Sequence, residues 1–259
     1  MPASGRHTLP QPPAAVTFDC WQTLIYEGDW TLAHARRIDS LARAVGEAGR
    51  RASRQQAADA FEAAWRCHMD CWREGVATGA NDVARQALGL LGLEEPHPAL
   101  EHLVREWEEA SHSGQVVALP GARQALEALA AAGVARALVC DTGLTPGRVV
   151  RRHLDRLGLL EQLEVCIFSD EVGVPKPDPR VFHAALEPLS VRPGHAVHVG
   201  DLRRTDIAGA RNVGMGSVRI RARHDDACEL PDADAVIDSH SELLAVLGLE
   251  ASGPSQKGT

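Results

Sequence analysis

"VARALVCDTGLTPGRVVRRHLDRLGLLEQLEVCIFS", residues 134–169, reads as strand, helix, strand: VARALVC and LEVCIFS are short apolar runs, and PGRVVRRHLDRLG between them is amphipathic with helical spacing. A helix between two short buried strands is the crossover of a parallel sheet. The alternation continues in both directions. GARQALEALAAAG (121–133) precedes it as a helix; PRVFHAALEPLS (179–190), HAVHVG (195–200), RTDIAGARNVG (204–214), GSVRI (216–220), ADAVID (233–238) and SELLAVLG (241–248) follow as helix, strand, helix, strand, strand and helix. The fold class is therefore α/β, a doubly wound, Rossmann-like parallel sheet. Near the N-terminus AAVTF completes the sheet. Between that strand and residue 115 nearly everything has helical period, in about four helices: LAHARRIDSLARAVGEAG, SRQQAADAFEAAWRCHMDCWREG, NDVARQALGLLGL and HPALEHLVREWEEASH. An all-α block thus interrupts the core after its first strand. The expected division is a disordered tail over 1–13, an α/β core over 14–30 and 115–249, a helical insert over 31–114 and a second disordered tail over 250–259.

Composition narrows the functional classes. The chain has 259 residues, 44% of them hydrophobic, and a formal net charge of −8. No clustered cations suit it to nucleic acid, and no apolar run is long enough to span a bilayer. Six scattered cysteines without a CxxC pair, and an N-terminus lacking an apolar signal core, fit a reduced, cytoplasmic protein that is a monomer or homodimer and binds a small molecule. Of 27 cations only Lys176 and Lys257 are lysine, and Lys257 falls in the C-terminal tail. In a chain that otherwise uses arginine, Lys176 marks a place where a compact ammonium is needed.

Ligands of open parallel sheets sit at the carboxyl ends of the strands. Those ends carry Asp19, then Cys140, Asp141 and Thr142, then Lys176, then Asp201 with Asp206 five residues on. Three stretches among them resemble the motifs of the haloacid dehalogenase-like (HAD) hydrolases. FDCWQTL matches the nucleophile motif through Asp19 and Thr23, VPKPDPRVF the lysine motif through Lys176, and VGDLRRTDIAGARNVGM the acidic motif through Asp201 and Asp206. The helical insert is similar to the C1-type cap of that family.

The resemblance implies a Mg²⁺-dependent phosphatase of a small phosphorylated metabolite, working through an aspartyl-phosphate. Asp19 is expected as nucleophile and Lys176 as charge stabiliser, with Asp19, the backbone carbonyl of Trp21, Asp201 and Asp206 holding the metal. Trp21, Cys140, Asp141 and Thr142 are expected to meet the substrate. Elementary electrostatics agrees: carboxylates 4 Å apart repel by about 4 kcal/mol at an effective dielectric near 20, so one lysine and a hard dication are needed to gather them.

Two positions depart from the family pattern. Trp21 stands where its phosphatases keep a second Asp as general acid and base, and an indole can do neither job. Cys140 stands where a Ser or Thr is usual, with Thr142 on the same face as a substitute. Trp21 also raises two alternatives. One is a metal-independent 2-haloacid dehalogenase, in which Asp19 displaces halide and the residue two positions on is aromatic. The other is a catalytically weak binding protein on the same fold. His34, His102 and His112 and the Arg204–Thr205 pair are expected on helix surfaces and the Cys67–His68–Cys71 cluster in packing, while the turn TGLTPG (142–147) reads equally as a phosphate-facing turn before a helix N-terminus or as a plain connection.

Overall fold

A computed structural model describes residues 9–93 and 98–249. The expected C-terminal tail with Lys257, and residues 1–8 of the expected N-terminal one, lie outside the described residues. The chain runs β1 (Ala15–Phe18), β2 (Ile25–Glu27), α1 (Thr31–Glu47), α2 (Arg54–Arg73), α3 (Ala80–Leu90), α4 (Ala99–Glu109), β3 (Val116–Ala118), α5 (Ala122–Ala131) and β4 (Ala135–Cys140). It continues through α6 (Gly147–Arg156), β5 (Val165–Phe168), α7 (Ser169–Val172), α8 (Pro179–Leu186), β6 (Ala196–Gly200), α9 (Ala208–Val213), β7 (Gly216–Ile220), β8 (Ala235–Ile237) and α10 (Leu243–Val246).

Six strands form one parallel sheet in the order β5-β4-β1-β6-β7-β8. Its pleat sorts alternate side chains to two faces. Val16, Phe18, Leu138 and Val199 pack with α5, α6 and α10 through Leu126, Leu129, Val150, Leu154 and Leu243. Ala15, Ala137 and Val139 pack on the other face with Val181 and Phe182 of α8 and Ala210 of α9. Each buried Val, Leu or Phe among them contributes roughly 1.5–3 kcal/mol, and the alanines less. The α/β architecture expected from the strand and helix periods is therefore the one observed.

The helical block α1 to α4 has an apolar core of its own, built around Leu41, Phe61, Val83, Leu88, Leu103 and Trp107. Trp107 is fully buried because its indole N–H finds partners: Nε1 lies 3.0 Å from both the Arg37 carbonyl and Ser40 Oγ. Helix α2 starts at a capping box, in which Ser53 and Gln56 exchange side-chain and backbone hydrogen bonds.

Three features differ from the sequence expectations. The two chain crossings between core and block pair with each other as an antiparallel ribbon, β2 with β3, in the register Tyr26 opposite Val117. Residues 9–13 are docked, since Leu9 packs on the main core beside Gly216 and Gln11 Nε2 donates to the Val246 carbonyl at 3.2 Å. The segment expected as one helix over 204–214 begins with a π-helical turn, Arg203–Ile207, before α9. Both Asp206 and Ile207 donate to the Leu202 carbonyl there. Such wide turns recur at functional sites because they re-aim a side chain.

Candidate active site

The carboxyl ends of β1, β4 and β6 deliver Asp19, Asp141 and Asp201 to one end of the sheet. Asp19 leaves β1 with its N–H bonded to the Val199 carbonyl at 2.8 Å. The wide turn after β6 carries Asp206 back over Gly200, whose missing side chain makes the room: a Cβ there would sit 2.3 Å from the Asp206 carboxyl carbon. Lys176, on the loop between α7 and α8, closes the cluster. Its Nζ donates to Asp19 Oδ1 at 2.5 Å and Asp206 Oδ1 at 2.7 Å. Lys176 is only 2% exposed, and Asp206 1%.

One ammonium does not neutralise this group. Asp19, Asp201 and Asp206 offer oxygens that all lie within 4.8 Å of one another, and all three are buried. Burial pushes Asp19 up to about 7 against the pull of Lys176, with the Asp206 charge adding to the rise. Burial and then the charges of Asp19 and Asp206 push Asp201 up to about 9. Asp206 goes the other way: burial opposes its ionisation, but Lys176 and a hydrogen bond from His198 hold it far below the ordinary carboxylate range. Burial likewise opposes the charge on Lys176, and Asp19, Asp206 and Asp141 overcome it, so the lysine stays protonated. A hard dication fits this set of buried oxygen donors and this surplus of negative charge.

His198 is a support that the sequence analysis overlooked. It is fully buried on β6, with Nε2 3.2 Å from Asp206 Oδ1 and Nδ1 2.7 Å from Thr17 Oγ1. The carboxylate is thereby fixed from the side opposite solvent.

A cavity of about 510 Å³ opens from this cluster and runs between core and helical block. Trp21, Asp141 and Thr142 line it. Cys140 does not. Its side chain belongs to the apolar core, where burial and the Cys20 thiol raise its pKa well above the ordinary thiol value. The slip has a simple cause, because one residue of register exchanges the faces of a strand. Asp141 is held twice: its Oδ1 accepts the Lys176 backbone N–H and its Oδ2 the Trp72 indole N–H, both at 2.8 Å. Burial raises its pKa, with Lys176 opposing. Thr142 bonds to Ser169 and Asp170. The turn after it lines the cavity through Gly143, Leu144 and Thr145, while Asp170 accepts the Gly147 N–H at the start of α6.

The opposite wall comes from the helical block. Phe61, Trp65, Met69 and Trp72 project from one face of α2, and Trp30 meets Trp21 edge to face at 6.2 Å. Four of the five tryptophans of the chain line this cavity. Of the three histidines singled out above only His34 reaches it, 3.4 Å from Glu62; His102 and His112 sit beside Glu106 and Glu109. Arg204 is not a surface residue as expected. Its guanidinium lies 4.1 Å over the Trp72 ring, while Thr205 is buried against Asp206. Cys67 is exposed, which corrects the expectation of a packed cysteine stripe. Arg37, missed in the sequence, is buried at the cavity wall with Nη2 lacking a hydrogen-bond partner among the described residues.

Comparison with known proteins agrees with this geometry. A glyceraldehyde 3-phosphate phosphatase of Methanopyrus kandleri is 40% identical over 114 residues, 40% of this chain and 47% of that protein, so the chain spans about half its length. An (S)-2-haloacid dehalogenase 1 of Pseudomonas sp. (strain CBS-3) is 31% identical over 209 residues, 81% of this chain and 85% of that protein. The crystal structure of an HAD phosphatase from Thermococcus onnurineus superposes with a TM-score of 0.66 at 28% identity, covering 90% of this chain and 97% of that one. The model of the haloacid dehalogenase-like hydrolases matches residues 13–214. With the acid–lysine cluster at the carboxyl edge of its sheet, the chain belongs to the haloacid dehalogenase-like hydrolase family.

Proposed function

We propose that this protein is a Mg²⁺-dependent phosphohydrolase acting on a small phosphomonoester, with the helical block as a cap over the site. The observation that carries the reading is the cluster of Asp19, Asp201 and Asp206 around Lys176, one cation short of balance. Asp19, Asp201 and Asp206 would hold the metal together with the Trp21 carbonyl, which accepts no hydrogen bond from the described residues. A bound Mg²⁺ supplies positive charge beside the phosphoryl oxygens.

The chain's own residues do the rest. An Asp19 oxygen attacks phosphorus, the bond from phosphorus to the ester oxygen breaks, and that oxygen leaves with its electron pair. Water then attacks the aspartyl-phosphate at phosphorus, freeing phosphate and restoring the carboxylate. Lys176 offsets charge on Asp19 and on the transferring group, while His198 and Thr17 keep Asp206 oriented. Trp21 brings no proton to the leaving oxygen, so departure depends on the acidity of the leaving group. All six cysteines are unpaired, which supports a reducing, cytoplasmic setting, and among the described residues no helix is long and apolar enough to cross a membrane.

The relatives named as phosphatases support this reading. A second reading has its own observation: Trp21 and the aromatic walls suit a carbon–halogen substrate, and the Pseudomonas dehalogenase matches along most of its length. Assaying phosphate release and halide release, each with and without Mg²⁺, separates the two. Phosphate release that requires Mg²⁺ is expected; halide release from 2-chloropropionate in EDTA would establish the other.

A further inference from the structure

Resting on the phosphohydrolase reading, we propose that the cavity is built for a phosphomonoester whose leaving group carries an uncharged aromatic ring. The cap-side wall is made of flat rings. Trp72 begins it beside Asp141, within the site itself, and Trp65 and Phe61 continue it two and three turns back along α2. Trp21 and Trp30 face them from the core side, edge to face with each other. A ring entering this space gains stacked or edge contacts with aromatic partners on top of its burial.

Apart from Arg37, whose Nη2 has no hydrogen-bond partner among the described residues, three polar groups along the same wall are already engaged. The Trp72 N–H is bonded to Asp141, His68 Nδ1 lies 2.6 Å from Thr78 Oγ1, and His34 faces Glu62. A sugar would bring several hydroxyls into a space with few free partners for them, and each unpaired one is costly to bury. Charge argues against a second anionic group as well. Arg37 shares the cavity with two carboxyl side chains, Glu27 and Glu62. Among the described residues that line the cavity, carboxyls outnumber the cations Arg37 and Lys176, which disfavours a second anionic group. The expected substrate class thus differs from the small sugar phosphates named for the related phosphatases.

Aryl esters alone would not test this, because their leaving groups are intrinsically good. Benzyl phosphate and glycerol phosphate both expel an alkoxide and differ mainly in the ring. At saturating Mg²⁺ the kcat/KM ratio of benzyl to glycerol phosphate is expected to be on the order of ten- to a hundredfold, the worth of burying one ring. Trp65→Leu keeps apolar bulk in the cap and should shrink that ratio severalfold, whatever happens to the absolute rates. Benzylphosphonate and methylphosphonate, neither of which can be hydrolysed, give a second readout by titration calorimetry, and the first should bind at least about tenfold more tightly. A benzyl-to-glycerol ratio near one, equal binding of the two phosphonates, or a preference for bisphosphates and phospho-acids that assigns Arg37 to an anion, would each overturn the proposal. Failure of every ester to react in Mg²⁺ would instead refute the phosphohydrolase reading, leaving the phosphonate titration to decide on the ring.

Discussion

Stability without metal should fall as pH rises, and Asp201 makes the effect measurable. Its carboxyl is pushed up to about 9 in the folded chain, against an ordinary value near 3.8 in the unfolded one. Between pH 7.5 and 8.5 the folded protein therefore holds a proton on Asp201 that the unfolded chain has lost. A folded state that binds more protons than the unfolded state loses stability with rising pH. One proton over one pH unit is worth 1.36 kcal/mol, so Asp201, nearing its titration at the upper end of the interval, accounts for about 1 kcal/mol. For a chain of this size that lowers the thermal midpoint by roughly 2–5 °C. The assay is thermal unfolding in EDTA, wild type against Asp201→Asn. Groups remote from the cluster contribute alike to both proteins; His224, 3.5 Å from Asp201, does not, so the two are compared in a His224→Gln background, where the difference in slope belongs to the Asp201 site. Parallel curves for the two proteins would refute the reasoning.

Other outcomes follow from the same cluster. Millimolar Mg²⁺ should raise the wild-type midpoint, by about 2.7 kcal/mol of stability at a hundredfold excess over Kd, and the shift should vanish in Asp201→Asn; an unchanged wild-type midpoint would count against a metal. Asp19→Asn should reduce turnover to background with the fold intact, and residual activity above about one per cent would mean that another group attacks. In wild type, log kcat/KM should fall steeply as leaving-group pKa rises, and Trp21→Asp should flatten the slope by offering an acid. A flat wild-type slope would point to Asp141 as a proton source already in the cavity.

Much of this site could be read in advance because its main parts sit where a parallel sheet must place them. Asp19, Asp201 and Asp206 follow apolar runs whose ends converge in any doubly wound order, and Lys176 stands out by the scarcity of lysine. What escaped depends on contacts distant in sequence or on backbone detail that no period records. Strands β2 and β3 have three residues each, too few to show alternation, and exist because they pair with each other. The π-helical turn differs from an α-helix only in where Asp206 and Ile207 find their acceptor. His198 reads as one more residue of a buried strand until Thr17, on the neighbouring strand, meets it. The faces of β4 were assigned one residue out at Cys140, and Trp72 gained its meaning only when α2 was laid across Asp141.

The ribbon of β2 and β3 has a mechanical consequence. Two separate strands crossing from core to cap could slide past each other, but these are laced together, and the ladder runs on through Leu119 to Leu24 at one end and Gly28 to Gln115 at the other. Sliding would break every rung at once, whereas a slight bend breaks none. The block can thus swing about this pivot more readily than it can slide, with the Trp72 contacts to Asp141 and Arg204 as the catch on the side of the acid cluster and the pairs of Arg148 and Arg152 with Glu108 and Glu109 as further ties to α6. Amide exchange can reveal it: in Trp72→Ala the catch is released, yet the amides of Tyr26 and Val117 should exchange as slowly as before, and rapid exchange there would show that the pivot itself comes apart.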